Sequence, residues 1–291
     1  MKANPYESAR YLHEYLLFHY GQPKDLCPFG FISQDLLRFH QRIREECLLP
    51  VSHTGHTRAL DIGCAVGRFT FELSHVANEV IGIDNSKGFI LAARDIAKRG
   101  GVELRIHESG SGFSTRRVAL PKGVSPGKVR FHVGDAQNLG SIATRTRAKG
   151  RGVHTASMSS FEIIAAINLI CRLPSPSIFL RQLPGLVSPG GQLLIASPFS
   201  WLKEYTPRRE WMTPSVLEKA LAPHFRLRQR RDIPFLIREH RRKYQLVVSE
   251  VLTFKRIGLK VDRQKSKRSA LFQSKWHEPQ QMWHSSKTMQ A

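Results

Sequence analysis

The stretch Leu60-Asp61-Ile62-Gly63-Cys64-Ala65-Val66-Gly67-Arg68 opens as an apolar run, meets an acid, then alternates small residues. A helix-like apolar spacing follows at Phe69, Leu73 and Val76. This is the pattern of a strand, a tight glycine turn and a helix start. Such a turn lets a nucleotide-like ligand lie against bare backbone beside the free N–H groups of a helix N-terminus. The spacing is not the G-x-G-x-x-G of a dinucleotide site; it is Asp-x-Gly-x-Ala-x-Gly.

Outward from that turn, strand and helix patterns alternate. Glu79-Val80-Ile81-Gly82-Ile83-Asp84 reads as a second strand ending in an acid. Asp84 fits two compatible roles: acceptor for both hydroxyls of a ribose, or N-cap of a helix over Ser86–Ala97. A third strand, Val129–Val133, runs into Gly134-Asp135-Ala136-Gln137, and a fourth, Phe161–Ile167, ends in Asn168. A fifth, Gln192–Ala196, follows Ser188-Pro189-Gly190-Gly191. A helix is expected from Pro214 to about Leu221, then strands at Phe225–Arg230 and Gln245–Lys255 that suit an antiparallel end to the sheet. Residues 101–128, with Ser109-Gly110-Ser111-Gly112, predict a loop or small hairpin. Short apolar strands separated by helical segments predict a parallel sheet buried on both faces.

These strand-end features, in this order, resemble the class I S-adenosylmethionine (SAM) methyltransferases, and Asp61–Gly67 resembles their motif I. The resemblance implies an α/β, Rossmann-like fold with a seven-stranded, mostly parallel sheet and an antiparallel final strand. It implies SAM as cofactor, held by Asp61, Gly63, Ala65, Gly67 and Asp84, with Asp135 and Ala136 in the adenine-contacting loop. It also implies a polar group near the reacting methyl at Asn168.

Two helices are expected before the first strand. In one, Tyr11, Tyr15 and Phe18 share a face, and Gly21 and Pro23 stop it. The other covers Ser33–Leu48, with Leu36, Leu37, Phe39 and Ile43 inward. The expected organisation is a helical addition at 1–56 covering the crevice, a SAM-dependent methyltransferase domain at 57–257, and a tail at 258–291. The stretch 141–160 within the domain lacks an apolar period and is expected to be a mobile loop. From Gly258 onward apolar residues are too sparse to order the chain.

The chain has 291 residues and a net charge of +22. Residues 1–140 hold 18 basic and 14 acidic groups, 141–160 add four bases and no acid, and 201–291 carry 21 bases against 8 acids. A basic surface for nucleic acid and a solvated flank both fit that distribution. No aromatic single-strand platform, zinc module or helix-turn-helix pattern accompanies it. No apolar stretch reaches membrane-spanning length and no secretory signal core is seen, so no membrane partner is expected. Cys27, Cys47, Cys64 and Cys171 are scattered without metal-ligand spacing, which predicts free thiols, no metal site and a reducing, cytoplasmic setting.

A closer resemblance rests on Asn4-Pro5-Tyr6-Glu7, Glu14-Tyr15-Leu16-Leu17-Phe18-His19-Tyr20-Gly21, Asn168-Leu169-Ile170-Cys171-Arg172-Leu173-Pro174, Ser197-Pro198-Phe199-Ser200-Trp201-Leu202-Lys203-Glu204-Tyr205-Thr206-Pro207 and Pro234-Phe235-Leu236-Ile237-Arg238-Glu239-His240. These resemble the methyltransferase domain of ovothiol biosynthesis, and the likeness runs from about Asn4 to Lys255. That domain methylates an imidazole nitrogen of 4-mercaptohistidine (5-thiohistidine). In many relatives it follows an iron-dependent sulfoxide synthase. No such part stands in this sequence, so the resemblance implies a small amino-acid substrate supplied by a separate sulfoxide synthase. Gln137 departs from the family's Gly-Asp-Ala-Cys-Asn-Leu motif, and 140–160 is longer than its short connection there.

On a mercaptohistidine, sulfur competes with nitrogen as the nucleophile, so selectivity depends on holding the ring. Methyl transfer itself draws on proximity and alignment, on the order of 7–11 kcal/mol at the upper end. The candidate catalytic residues are Asn168, Tyr15 and His19. Tyr11 and Tyr205 are substrate candidates, while Tyr20 and Glu204 fit pocket and packing roles alike. Arginine grips a carboxylate through two parallel hydrogen bonds. Arg238, Arg241 and Arg242 are candidates for that grip, and Arg172 is an alternative. Three readings stand: a small-molecule N-methyltransferase, a methyltransferase of RNA or another polyanion, and a non-catalytic SAM-fold binding protein.

Overall fold

The computed structural model describes residues 5–51, 55–140 and 160–258. The loop expected at 141–160 and the tail expected at 258–291 lie outside these, except for Ser160 and Gly258.

Helix α1 (Ala9–Tyr20) starts where Ser8 caps it, its side chain accepting from Tyr11 N. It stops at Gly21, where an added Cβ would stand 2.5 Å from Leu17 O. Pro23 opens the short α2 (Pro23–Leu26). The single helix expected over Ser33–Leu48 is instead three pieces. A 3-10 turn, Gln34–Leu37, is broken from α3 (Phe39–Arg42) by Arg38 at φ −116°, and α3 runs on as a π-helical turn, Ile43–Cys47. Phe39 and Ile43 still point inward, but Leu36 and Leu37 are only half-buried.

The sheet begins with β1 (Arg58–Ile62), then α4 (Arg68–Leu73), β2 (Glu79–Asp84) and α5 (Lys87–Arg99). A separate hairpin, β3 (Gly101–Ser109) with β4 (Gly112–Ala119), precedes β5 (Val129–Val133). After β6 (Phe161–Ile167) come α6 (Pro176–Gln182), β7 (Val187–Ser197), α7 (Pro214–Leu221), β8 (Phe225–His240) and β9 (Lys243–Arg256). The seven strands run in the order β5-β2-β1-β6-β7-β9-β8. The first five are parallel, and β9 lies antiparallel between β7 and β8.

Successive side chains enter opposite cores, as the period of two demands. Ala59, Val80, Ile163 and Leu194 pack with α1, α3, α4 and α5. Leu60, Ile81, Ile164 and Leu193 pack with α6 and α7. From β1 the chain builds outward to β2 and β5, then returns to the other side of β1 with β6 and β7. That reversal opens a crevice beyond the carboxyl ends of β1 and β6, where open α/β sheets place their ligands.

Candidate functional site

At the end of β1 the glycine turn takes left-handed backbone at Gly63 (φ 74°), Ala65 (φ 48°) and Gly67 (φ 87°). Gly63 N and Cys64 N both donate to Ile83 O, at 2.8 and 2.9 Å, tying the turn to β2. Asp61, behind the turn, is buried and accepts from Thr70 Oγ1 at 2.7 Å. Burial pushes its carboxyl up to about 7, against the Thr70 hydrogen bond, and the Asp84 charge adds to the rise.

Asp84 stands at the tip of β2. Its Oδ2 accepts from Ala65 N and its Oδ1 from Ser86 N, both at 2.9 Å. Asn85 N donates to the same carboxylate, which leaves a lone pair for a further donor. The N-cap of α5 is Ser86, which accepts from Phe89 N. Asp84 therefore orders the turn and faces the cavity instead of capping the helix. Desolvation raises its carboxyl above the ordinary range despite these N–H donors.

One cavity runs from these residues to the N-terminal helices. Asp61, Gly63, Ala65, Asp84, Asp135 and Ala136 line one part. Tyr15, His19, Asn168 and Arg172 line the other, with Tyr6, Phe39, His40, Phe235 and Ile237. Gly67 does not line it; an added Cβ there would meet the Phe131 ring at 2.6 Å, so its glycine serves packing. Tyr11 and Tyr205 sit one layer back, their rings 5.5 and 6.1 Å from that of Tyr6.

Arg238 and Arg242, expected at the site, lie away from this cavity. Arg238 is buried outside the cavity, bonded to Asp25 O at 2.6 Å and paired with Glu108 of the β3–β4 hairpin at 2.5 Å. Arg242 lies exposed just beyond the end of β8. The reason is that β8 runs on to His240 and carries Arg238 onto the hairpin, not into the crevice. Arg172 is the arginine of the cavity wall. It donates to Ser200 O at 2.8 Å and lies over the Tyr205 ring at 5.4 Å.

Asn168 has φ 55°, one of three left-handed non-glycine residues among those described, with Ala65 and Phe199. Each follows a strand that ends at the crevice, where strain of about 1–3 kcal/mol is kept only by surrounding contacts. Here those contacts are Asn168 N to Ala196 O at 2.8 Å and Ser249 Oγ donating to Asn168 Oδ1 at 2.6 Å. With Oδ1 so engaged, the amide Nδ2 is left as donor.

The N-terminal segment is tied to the cofactor side at several points. Tyr20 OH donates to Val66 O at 2.7 Å, Ser86 Oγ to Tyr6 O at 3.1 Å, and Lys87 N to Glu7 at 2.8 Å. His19 is buried, and its Nδ1 has no hydrogen-bond partner among the described residues. Burial, then the Arg68 charge, holds its ring down to about 3, so it is neutral. Burial also pushes the Tyr15 phenol up to about 12 and raises that of Tyr6, so both stay protonated. Tyr6, His40 and Ser249 were not singled out as candidates from sequence. Tyr6 lies inside a segment quoted for family resemblance, whereas His40 and Ser249 carry no local signal.

A family model described as a methyltransferase domain matches residues 29–246. A 23S rRNA (uracil(1939)-C(5))-methyltransferase, RlmD, of Xanthomonas oryzae pv. oryzae is 39% identical over 76 residues, which is 26% of this chain and 17% of that protein. Among solved structures, magnesium protoporphyrin IX methyltransferase from Synechocystis PCC 6803, with bound SAH, aligns with a TM-score of 0.50 at 15% identity. That alignment covers 86% of this chain and 96% of the other, and it shows a shared fold. Among the described residues no helix is long and apolar enough to cross a membrane.

Proposed function

The chain belongs to the methyltransferase domain family, and from that premise we propose that it transfers the methyl group of SAM to an imidazole nitrogen of a mercaptohistidine. One observation carries the acceptor. The five segments resembling the ovothiol methyltransferase, scattered from Tyr6 to Ile237, all reach the same cavity, through Tyr6, His19, Asn168, Arg172, Ser200 and Phe235 among others.

The cofactor is SAM, and the residues present fit it. Asp84 offers a spare lone pair to a ribose from a part-buried position. Gly63 and Ala65 leave room at the turn, and Asp135 and Ala136 close the adenine side. When bound, SAM supplies a methyl group on a positively charged sulfur.

The remaining lining handles the acceptor. Arg172 grips the amino acid's carboxylate with the N–H groups not spent on Ser200, Cys171 and Tyr6. The protonated phenol of Tyr15, backed by Tyr6, which hydrogen-bonds Tyr205, Tyr15 and Arg172, donates to the acceptor's thiolate and holds the sulfur away from the methyl. Asn168 Nδ2 and the neutral His19 ring fix the plane of the imidazole, so that one nitrogen faces the methyl. Alignment of this kind is where such a protein gains most of its rate.

A second reading, transfer to RNA, has in its favour the excess of bases in 201–291 and the 76-residue likeness to an rRNA methyltransferase. Labelled SAM offered with 4-mercaptohistidine, histidine and bulk RNA in parallel separates the two. The expected product is mercaptohistidine with label on ring nitrogen. Label on sulfur, or only in RNA, overturns the proposal.

A further inference from the structure

We propose that His19 and His40 together form a proton exit from the acceptor chamber, with His40 as a positioning residue that passes the proton from His19 to a second cavity. This rests on methylation of a ring nitrogen as read above. When the lone pair of one ring nitrogen forms the N–CH3 bond, the S–CH3 electron pair goes to sulfur and the ring gains a positive charge. The charge is lost when the N–H of the other ring nitrogen breaks and its proton binds His19 Nδ1. His19 then turns its Nε2–H toward one nitrogen of the touching His40 ring and releases the proton to it, and His40 releases its other N–H proton to water. Both rings finish in the opposite tautomer and return by exchange with solvent.

The geometry brings the parts of this path together. His19 Nδ1 is buried and has no hydrogen-bond partner among the described residues. The two rings touch, with centroids 4.2 Å apart and planes at 48°. Both rings line the acceptor cavity, and both also line a second cavity on their far side. The pair is therefore a shared wall between the two spaces.

Charged groups stand on both sides of the pair. Arg68, on α4, donates to His19 O at 3.0 Å, and Glu72 is ion-paired with both Arg68 and Arg44. Arg38, His75 and Lys122 line the rest of the second cavity. On the chamber side the charged groups are Asp61, Asp84, Asp135 and Arg172. Burial and Arg68 depress both rings, and His19 depresses His40 further, so neither stores a proton near neutral pH. A wall needed only for packing would be served as well by phenylalanine, since Phe18 and Phe39 already pack edge-on and tilted against these rings.

His40→Phe separates packing from proton transfer. The variant should lower kcat by about tenfold or more, with KM for the amino acid within about twofold and SAM affinity by calorimetry unchanged. Its kcat should rise with pH where the wild type is flat, and added imidazole should restore turnover to His40→Gly. A variant with wild-type kcat and pH profile, or a kcat loss that imidazole does not repair, overturns the proposal. A measurement without acceptor decides it separately: 15N NMR of histidine-labelled protein should show His19 neutral with Nδ1 bare, and its tautomer balance should shift in His40→Phe. A wild-type His19 protonated at Nδ1, or no shift, overturns the relay. A wild type inactive on every ring-nitrogen acceptor overturns the functional reading, and the NMR result then stands alone for the histidine pair.

Discussion

At Asp84 the sequence alone left ribose acceptor and helix cap as compatible roles, and the atoms separate them. Ser86 does the capping, which leaves Asp84 to hold Ala65 N and face the cavity. Asp84→Ala is expected to weaken SAM binding by about tenfold or more, the scale of hydrogen bonds to a charged acceptor, with the acceptor chamber intact. Calorimetry with SAM checks it, and unchanged affinity would remove Asp84 from the cofactor site. Asp61 behaves differently because burial raises its carboxyl from 3.8 to about 7. Between those values the folded protein binds more protons than the unfolded chain, so this group's contribution to stability falls as pH rises through the window. The full penalty, present above about pH 7, is roughly 4 kcal/mol. Asp61→Asn keeps an acceptor for Thr70 and removes the charge. It should melt higher than wild type at pH 8, with the gap closing toward pH 4; equal melting temperatures at both would show that Asp61 carries no such cost.

Elements that announce themselves by period were legible, and those set by distant contacts were not. The run Leu60–Gly67 and the polar residues at strand ends placed β1, β2, β5 and β6; β1, β2 and β6 are apolar on both faces, while the edge strand β5 buries Val129 and Phe131 on one face. The length of β8 was hidden. Its first part alternates and reads as strand at Phe225–Arg230, but Arg230, Arg231 and Asp232 are exposed in succession on an edge strand, so nothing marks the continuation to His240. That error carried Arg238 into the wrong neighbourhood. His40 and Ser249 meet the site only through the fold, across contacts with residues 21 and 81 positions away. Gly67 shows the opposite case, a motif glycine whose role is packing between elements. A Cβ there would sit 2.6 Å from Phe131 on β5 and 3.2 Å from Ala93 on α5, at φ 87°. Gly67→Ala should therefore cost left-handed backbone strain of about 1–2 kcal/mol and overpacking of about 1–3 kcal/mol. Denaturant titration measures the loss. Wild-type stability would mean that β5 and α5 can shift to admit the methyl group.

At the scale of the whole molecule, charge and chamber suggest different acceptors. The net charge of +22 is the kind of field that gathers polyanions. The cavity beside the cofactor loops is instead narrow in chemistry: aromatic rings, two neutral histidines, the Asn168 and Gln245 amides and one arginine. A single guanidinium suits one carboxylate, and buried neutral rings suit another ring better than a phosphate chain. Salt distinguishes the two because counterion release scales with the number of phosphates bound. An RNA held by about 6–10 phosphate contacts would lose roughly 10³–10⁵ in affinity between 50 and 200 mM salt. A free amino acid meeting Arg172 inside the protein escapes most of that screening. Methyl transfer to mercaptohistidine should therefore change by less than about threefold in kcat/KM over that range, and excess RNA should not compete with the amino acid. A steep salt dependence, or inhibition by RNA that disappears at high salt, would move the acceptor from the chamber to the basic surface.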